Sequence, residues 1–129
     1  MQVYSSTNNR SAQSFGMSLM MNQTAIEALR KRVKDVDLDK VNNMLHNLKC
    51  RENVGVTLYT TNPNSTRLMA NLYPEDVSLG VKTTNPKEGL FHQFRNPVNY
   101  LASLINKANA MEKEIVIAKT RKDVFDKLG

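Results

Sequence analysis

The sequence predicts an α+β domain in the order ααβββα, in which a helical hairpin, a three-stranded antiparallel meander and a long C-terminal helix pack on one sheet face. Three observations support this fold class. Apolar residues alternate with polar ones between Asn53 and Thr84, which is typical of strands with one buried face. Before and after that stretch, apolar residues recur every three or four positions, which is typical of helices. Turn residues separate the segments.

A helical hairpin is predicted ahead of the sheet. Thr24 and Glu27 match a capping box, in which a hydroxyl and a carboxylate satisfy free amides of the first turn. Asp37 is suited to cap a second helix. Apolar positions recur at helical spacing at Ile26, Leu29 and Val33 in the first helix and at Leu38, Val41, Leu45 and Leu48 in the second. The short link between them implies an antiparallel pair.

Three strands are predicted from a period of two. One face of each strand is apolar: Val54, Val56 and Leu58 in the first, Leu68, Ala70 and Leu72 in the second, and Val77, Leu79 and Val81 in the third. The segments 62–65 and 73–76 contain Asn, Pro, Ser and Asp, which favour turns. We therefore expect an antiparallel meander.

A long third helix is predicted to begin at Asn96 and Pro97, because Asn is a good cap and Pro fits the first helical position. An apolar stripe then continues to Ile115. Residues 114–118 are rich in β-branched side chains and could form a fourth strand. No turn residue precedes them, so we expect helix there, followed by a last short segment capped by Thr120.

Residues 1–22 are predicted to form a flexible polar tail ahead of a single domain that spans residues 23–129. This stretch is rich in Ser, Asn and Gln and has no acidic residue, so it offers little apolar surface to offset the entropy of ordering. Phe15, Met17, Leu19 and Met20 could instead pack onto the domain as an extended arm or a short edge strand. No signal peptide or membrane span is predicted, which favours a cytoplasmic location. The composition also resembles export signals of specialised bacterial secretion systems.

No catalytic residue, metal ligand or cofactor is predicted. The single Cys50 excludes a disulfide within the chain, and phosphate-binding loops, paired-histidine metal motifs and nucleophile elbows are missing from the sequence. Cys50 could pair with His46 or His92, but no local pattern supports such a couple. We therefore expect a non-enzymatic protein.

A short repeat predicts a binding rim. Thr60-Thr61-Asn62-Pro63 follows the first predicted strand, and Thr83-Thr84-Asn85-Pro86 follows the third. The first and third strands of a meander run parallel, so both segments should leave the sheet at the same end. The candidate binding residues on this rim are Thr60, Thr61, Asn62, Thr83, Thr84 and Asn85. The alternative is that Asn-Pro simply ends each strand.

The densest aromatic cluster is formed by Leu90, Phe91 and Phe94, with His92 and Arg95 between and beside them. In a chain with 6% aromatic residues, we expect the phenyl groups inside, as a hydrophobic lid that docks the third helix onto the sheet. The alternative is an exposed patch that anchors a partner or stacks on bases.

The net charge of +6 leaves several functions open. The leading hypothesis is a small, basic, bacterial protein-interaction module that acts through the rim or an exposed sheet edge. The first alternative is RNA or DNA binding through basic helix faces. Its candidate residues are Arg30, Lys31, Lys34, Lys119, Arg121 and Lys122. The second alternative is a secreted effector with an N-terminal export tail.

Overall fold

The computed structural model of the chain describes residues 18–128 and shows the α+β architecture that the sequence predicts. Strands β1, β2 and β3 span Leu19–Met21, Val54–Thr60 and Leu68–Pro74. Helices α1, α2 and α3 span Gln23–Arg32, Leu38–Lys49 and Pro97–Leu128. Helix α3 has 32 residues, which corresponds to about 48 Å at 1.5 Å per residue. Within residues 18–128, no helix combines the length and the apolar character that a bilayer crossing needs.

The three-stranded sheet is mixed, which corrects the predicted antiparallel meander. Strand β2 is central and runs antiparallel to β3, with Val56 opposite Leu72. On its other side β2 runs parallel to β1, with Leu19 opposite Val56. Ser18 leads into β1, and its N–H donates to the Lys49 carbonyl at 2.9 Å. The third strand therefore comes from the N-terminal side of the chain.

Residues 77–81, predicted as the third strand, contain a 3₁₀ turn over Val77–Leu79 instead. The Asp76 side chain accepts a hydrogen bond from the Ser78 N–H at 3.0 Å and another from the Ser78 hydroxyl. Gly80 ends the turn with φ of 74°, a left-handed conformation that suits glycine. These local hydrogen bonds offer the backbone an alternative to strand pairing, and here they prevail over the apolar alternation.

A later segment extends the sheet beyond β3. Thr84 exchanges two backbone hydrogen bonds with Leu72, of 2.8 and 2.9 Å. The Glu88 N–H donates to the Leu68 carbonyl at 3.0 Å. Residues 84–88 therefore run antiparallel to β3 along its outer edge, as isolated bridges rather than a full strand.

The cap of α1 is Asn22, which corrects the predicted capping box at Thr24. The Asn22 side-chain oxygen accepts from the Ala25 N–H at 2.9 Å. Thr24 lies inside the first turn, and its hydroxyl donates to Asn22 and accepts from Thr60. The residue that caps α1 therefore lies two positions earlier than predicted.

The predicted start of α3 is confirmed, since the Asn96 side-chain oxygen accepts from the Val98 N–H at 3.0 Å. Residues 114–118 are helical as expected. The Thr120 hydroxyl donates to the Val116 carbonyl at 2.9 Å, so Thr120 does not cap a separate segment. The helix is continuous to Leu128.

One hydrophobic cluster joins the sheet to the helices. Its buried strand residues include Val54, Val56, Leu58, Leu68, Ala70 and Leu72. Its buried residues from α3 include Leu101, Leu104, Ala108, Met111 and Ile115. The even positions of β3 are buried while its odd positions are half-buried, which is the alternation read from the sequence.

The tail predicted for residues 1–22 is described in its last part only, because residues 1–17 lie outside the described residues. Leu19 is buried in β1, as the edge-strand alternative for Leu19 and Met20 expects. Flexibility and export through this segment stay predictions.

Candidate functional site

The candidate site is built on Arg32, the last residue of α1. Its guanidinium forms a bidentate ion pair with Glu88. Nη1 donates to Oε1 of the carboxylate, and Nη2 donates to Oε2 at 2.9 Å. It also donates to three backbone carbonyls, those of Thr66 at 3.0 Å, His92 at 2.7 Å and Arg95 at 3.2 Å. A planar group with five N–H donors suits such a cluster of acceptors. Arg32 thereby ties the end of α1 to the loop that precedes α3.

Glu88 is the buried acceptor of this cluster. Its side chain is 5% exposed, and its carboxylate accepts from the Leu68 N–H at 2.8 Å in addition to Arg32. Its carbonyl accepts from the Arg67 side chain at 2.6 Å. A buried carboxylate needs such partners because an unpaired charge is costly away from water. Glu88 therefore fixes the loop to the first residues of β3.

Tyr100 holds the same loop from the side of α3. Its hydroxyl donates to the Pro86 carbonyl at 2.7 Å. Burial, with smaller contributions from the charges of Glu88 and Tyr59, raises the pKa of Tyr100 above its ordinary value of 10.0. The loop before α3 is thus anchored by α1, β3 and α3.

His92 points inward from this loop. Its Nε2 lies 3.1 Å from the Thr66 hydroxyl, and its Nδ1 is buried without a hydrogen-bond partner. The loop forms a 3₁₀ turn over His92–Phe94, in which the Phe94 N–H donates to the Phe91 carbonyl at 3.0 Å. The imidazole of His92 thus faces the interior, whereas the phenyl groups of Phe91 and Phe94 face solvent.

The three apolar side chains of this loop form an exposed surface, called the apolar patch below (Leu90, Phe91 and Phe94). They are 77%, 68% and 77% exposed. The predicted hydrophobic lid is therefore wrong, and the exposed-patch alternative matches the observed placement. The inward positions of this loop belong to Glu88 and His92, and the apolar side chains are left outside.

The six residues of the predicted rim do not share one end of the sheet. Thr60 lies opposite Leu68, whereas Thr84 lies opposite Leu72, four residues further along β3. That offset corresponds to about 13 Å at 3.3 Å per residue. The shared rim required residues 77–81 to be a strand, and they are not. Binding by these residues therefore stays a prediction without the geometry that motivated it.

One residue of the predicted rim is buried, and the other five are exposed. Thr60 is buried, and its hydroxyl donates to the Thr24 hydroxyl at 2.7 Å and lies 2.9 Å from the Asn62 carbonyl oxygen. Asn85 donates to the Asn71 side chain. The remaining members, Thr61, Asn62, Thr83 and Thr84, are exposed.

Two surface clefts accompany these segments. A polar cleft of about 250 Å³ lies between α1 and the loop before β3 and is lined by Thr24, Glu27, Ala28, Lys31, Pro63, Asn64, Ser65 and Thr66. A mostly apolar groove of about 350 Å³ lies between the edge segment and α3. It is lined by Thr84, Pro86, Lys107, Ala110, Met111 and Glu114.

The six predicted nucleic-acid residues are all exposed but lie in two separate groups. Arg30, Lys31 and Lys34 lie near the end of α1, where Arg30 pairs with Glu27. The second group lies at the opposite end of β2, where Lys119 donates to the Asn53 side chain at 2.8 Å. Since β2 has seven residues, the groups are separated by about 20 Å or more.

The second basic group is adjacent to a carboxylate. Hydrogen bonds from Ser78 are the main cause that lowers the pKa of Asp76 below its ordinary value, and the charges of Lys122 and Lys119 lower it further. The positive surface at this end of the sheet is therefore partly compensated.

Cys50 and His46 face each other on the last turn of α2. The sulfur lies 3.5 Å from His46 Nε2, and both residues are exposed. The helical spacing of four residues explains the contact. Neither of the two clefts described above includes these residues.

Across residues 18–128, no three His, Cys, Asp or Glu side chains come close enough to hold a metal ion. Comparison of the chain with protein families, with characterised proteins and with solved structures finds no match. The function must therefore be argued from the geometry of this chain.

Proposed function

We propose that this protein is an interaction module that binds another protein through the apolar patch of Leu90, Phe91 and Phe94. The observation that carries the proposal is the exposure of 68–77% at three large apolar side chains on one loop. Contiguous exposed apolar surface is uncommon on monomeric soluble proteins and is typical of interfaces. Large aromatic side chains also dominate binding energy where they are buried by a partner.

The frame under the patch supports this function. The loop is fixed at its backbone carbonyls by Arg32 and at Glu88 by two further donors. A loop that is already ordered loses less conformational entropy on binding, so more of the contact energy contributes to affinity. Burying one Phe or Leu side chain contributes about 1.5–3 kcal/mol. Three such side chains on a fixed loop can therefore anchor a specific complex.

Charges beside the patch favour an acidic partner. Lys87 and Arg95 are exposed next to it. Glu88 is the single acidic residue between positions 86 and 96, and Arg32 neutralises it. A partner segment that combines apolar anchors with Asp or Glu would match this surface, because complementary charges steer association and set register.

The fold supports the same proposal. We infer that the helices cover the sheet face of Val56 and Leu72, since these residues share one cluster with Leu101 and Leu104. Among residues 18–128, the three patch side chains are not part of this core. Their exposure makes them available to a partner.

Selection of peptides from a random displayed library on the full-length chain tests the proposal. The variant pair is Phe91→Ser with Phe94→Ser, and the control is Val77→Ser, an apolar residue 82% exposed on another loop. Selected peptides should bind the control as they bind the native chain. They should bind the double variant about 30-fold more weakly or worse, which corresponds to about 2 kcal/mol. Peptides that keep full affinity for the double variant would refute the proposal.

A second candidate is RNA or DNA binding, favoured by the exposure of all six basic residues of the two groups. Fluorescence anisotropy with a uridine-rich RNA and with a DNA duplex tests it. Binding through phosphates should weaken steeply with salt. It should also weaken in Lys31→Glu with Lys34→Glu. If neither nucleic acid binds at low ionic strength, this candidate is excluded.

A further inference from the structure

Helix α3 continues past the core. Its last buried residue is Ile115, and every residue from Lys119 to Leu128 is exposed. At 1.5 Å per residue, the segment after Ile115 extends the helix by about 20 Å. Several large apolar side chains lie on this extension, namely Val116, Ile117, Val124, Phe125 and Leu128. The extension therefore presents apolar surface that the core formed by residues 18–128 does not cover.

Three of these exposed side chains, Ile117, Val124 and Leu128, lie on a second stripe that is separate from the core stripe. The core stripe runs through Leu101, Leu104, Ala108, Met111 and Ile115, and its next positions are Ala118 and Lys122. The second stripe runs through Lys107, Ala110, Glu114, Ile117, Arg121, Val124 and Leu128, at alternating steps of three and four, and all seven residues are exposed. At 100° per residue the two stripes are separated by about 130° around the axis. Ala110, Ile117 and Val124 recur every seven residues along this stripe and alternate with the charged residues Lys107, Glu114 and Arg121, so the stripe offers both apolar and charged side chains to a second helix.

The apolar groove lies on the same side of α3 as the second stripe. Lys107, Ala110 and Glu114 belong to the stripe and also line the groove, together with Met111 and Pro86. The first half of the stripe therefore borders a groove whose surface is mostly apolar. The second half carries Ile117, Val124 and Leu128, with Arg121 between them. A helix surface with a groove beside one half and exposed apolar side chains on the other half is suited to a two-fold contact with itself.

We propose that α3 pairs with α3 of a second copy of this chain, antiparallel and around a two-fold axis near Ile117. In this arrangement Glu114 lies opposite Arg121 of the second copy, and the contact occurs twice. Ala110 lies opposite Val124 of the second copy. Val124, Phe125 and Leu128 then enter the groove of the other chain. Glu114 and Arg121 are spaced about equally on either side of the axis. The attraction between Glu114 of one copy and Arg121 of the other therefore specifies this register.

Charge exchange tests the contact. Sedimentation velocity and light scattering of the full chain should show a dimer. Glu114→Arg and Arg121→Glu should each raise its dissociation constant about tenfold or more, because two attractive pairs become repulsive. An equimolar mixture of the two variants should regain the dimer, since each chain then offers the charge that the other needs. Lys122→Glu, with the same charge change on the other side of the helix, is the control and should dimerise as the native chain does.

Several outcomes would overturn the proposal. A native chain that stays monomeric at about 0.1 mM excludes a dimer of useful affinity. A dimer that both charge variants leave intact, or that their mixture does not restore, uses another surface. The Phe91→Ser with Phe94→Ser variant separates this contact from the proposed partner-binding patch. It should dimerise normally, and its loss of the dimer would assign the contact to the patch instead.

Discussion

Replacing Arg32 by methionine should destabilise the protein strongly. The substitution keeps most of the side-chain volume but removes the guanidinium. The Glu88 carboxylate, 5% exposed, then loses its cation and keeps one backbone donor, the Leu68 N–H. The carbonyls of Thr66, His92 and Arg95 lose a donor as well. Removing one partner of a buried ion pair costs about 3–5 kcal/mol of unfolding free energy. Small domains have about 5–15 kcal/mol in total, so the loss is a large fraction.

Urea unfolding, followed by circular dichroism, measures this loss as a shift of the midpoint at constant slope. The matched control is Arg30→Met, two residues earlier on α1. Arg30 pairs with Glu27, and the two side chains are 67% and 41% exposed. An exposed pair contributes about 0–1 kcal/mol, so this control should unfold close to the native midpoint. Equal shifts for the two variants would show that Arg32 does not hold a buried charge.

A double-mutant cycle separates the pair from its packing. Glu88→Met alone should also be costly, since it leaves the Arg32 charge in a site with 9% side-chain exposure. Combining Arg32→Met with Glu88→Met removes both charges. The double variant should lose less free energy than the two single variants added together. Additive losses would contradict the coupling.

Two further substitutions test other contacts. Tyr100→Phe removes the hydroxyl that donates to Pro86, which should cost about 1 kcal/mol at neutral pH. Because the pKa of Tyr100 is raised in the folded state, its stabilising contribution is present below the ordinary value of 10.0 and is lost as the pH rises above it. The melting temperature of the Tyr100→Phe variant should therefore decrease less between about pH 9 and 11 than that of the native chain. Gly55→Ala places a Cβ against the Tyr73 ring and should cost about 1–3 kcal/mol in urea unfolding. Gly89→Ala meets open space, and an equal cost there would refute the steric argument.

The elements that the sequence predicts well are those determined by local patterns. The alternation of Val54, Val56 and Leu58 marks β2 correctly, and β3 is displaced by one residue at most. The Asn96-Pro97 pair marks the start of α3 because both residues act within one turn. These signals depend on residues that are close in sequence, so they can be recognised without knowledge of the fold.

The third strand could not be assigned from alternation alone. Val77, Leu79 and Val81 have the correct period, but the Asp76 side chain competes for the Ser78 N–H and turns the chain. Leu19–Met21 is short, and it pairs in parallel with a strand more than 30 residues away. Parallel pairing is decided by tertiary contacts, which short segments do not encode.

The candidate site was partly accessible from the sequence. The cluster of Leu90, Phe91 and Phe94 was recognised, but composition favoured burial. The deciding contact joins Arg32 to Glu88, which are 56 residues apart, and no local pattern links them. Acidic residues are mostly exposed, so the lone Glu88 in the loop gave no sign of its burial.

The two proposed contacts are compatible because the patch lies on the loop before α3, whereas the helix pairing uses the second half of α3. The patch immediately precedes the helix, about 21 residues and therefore about 30 Å from the two-fold axis near Ile117. An antiparallel dimer would then present its two patches about 60 Å apart. A flexible linker reaches about 5–6 Å times the square root of its length, so bridging both patches takes a segment on the order of 100 residues. A short acidic peptide must therefore bind each protomer independently, and a binding isotherm without cooperativity is expected for dimer and monomer alike.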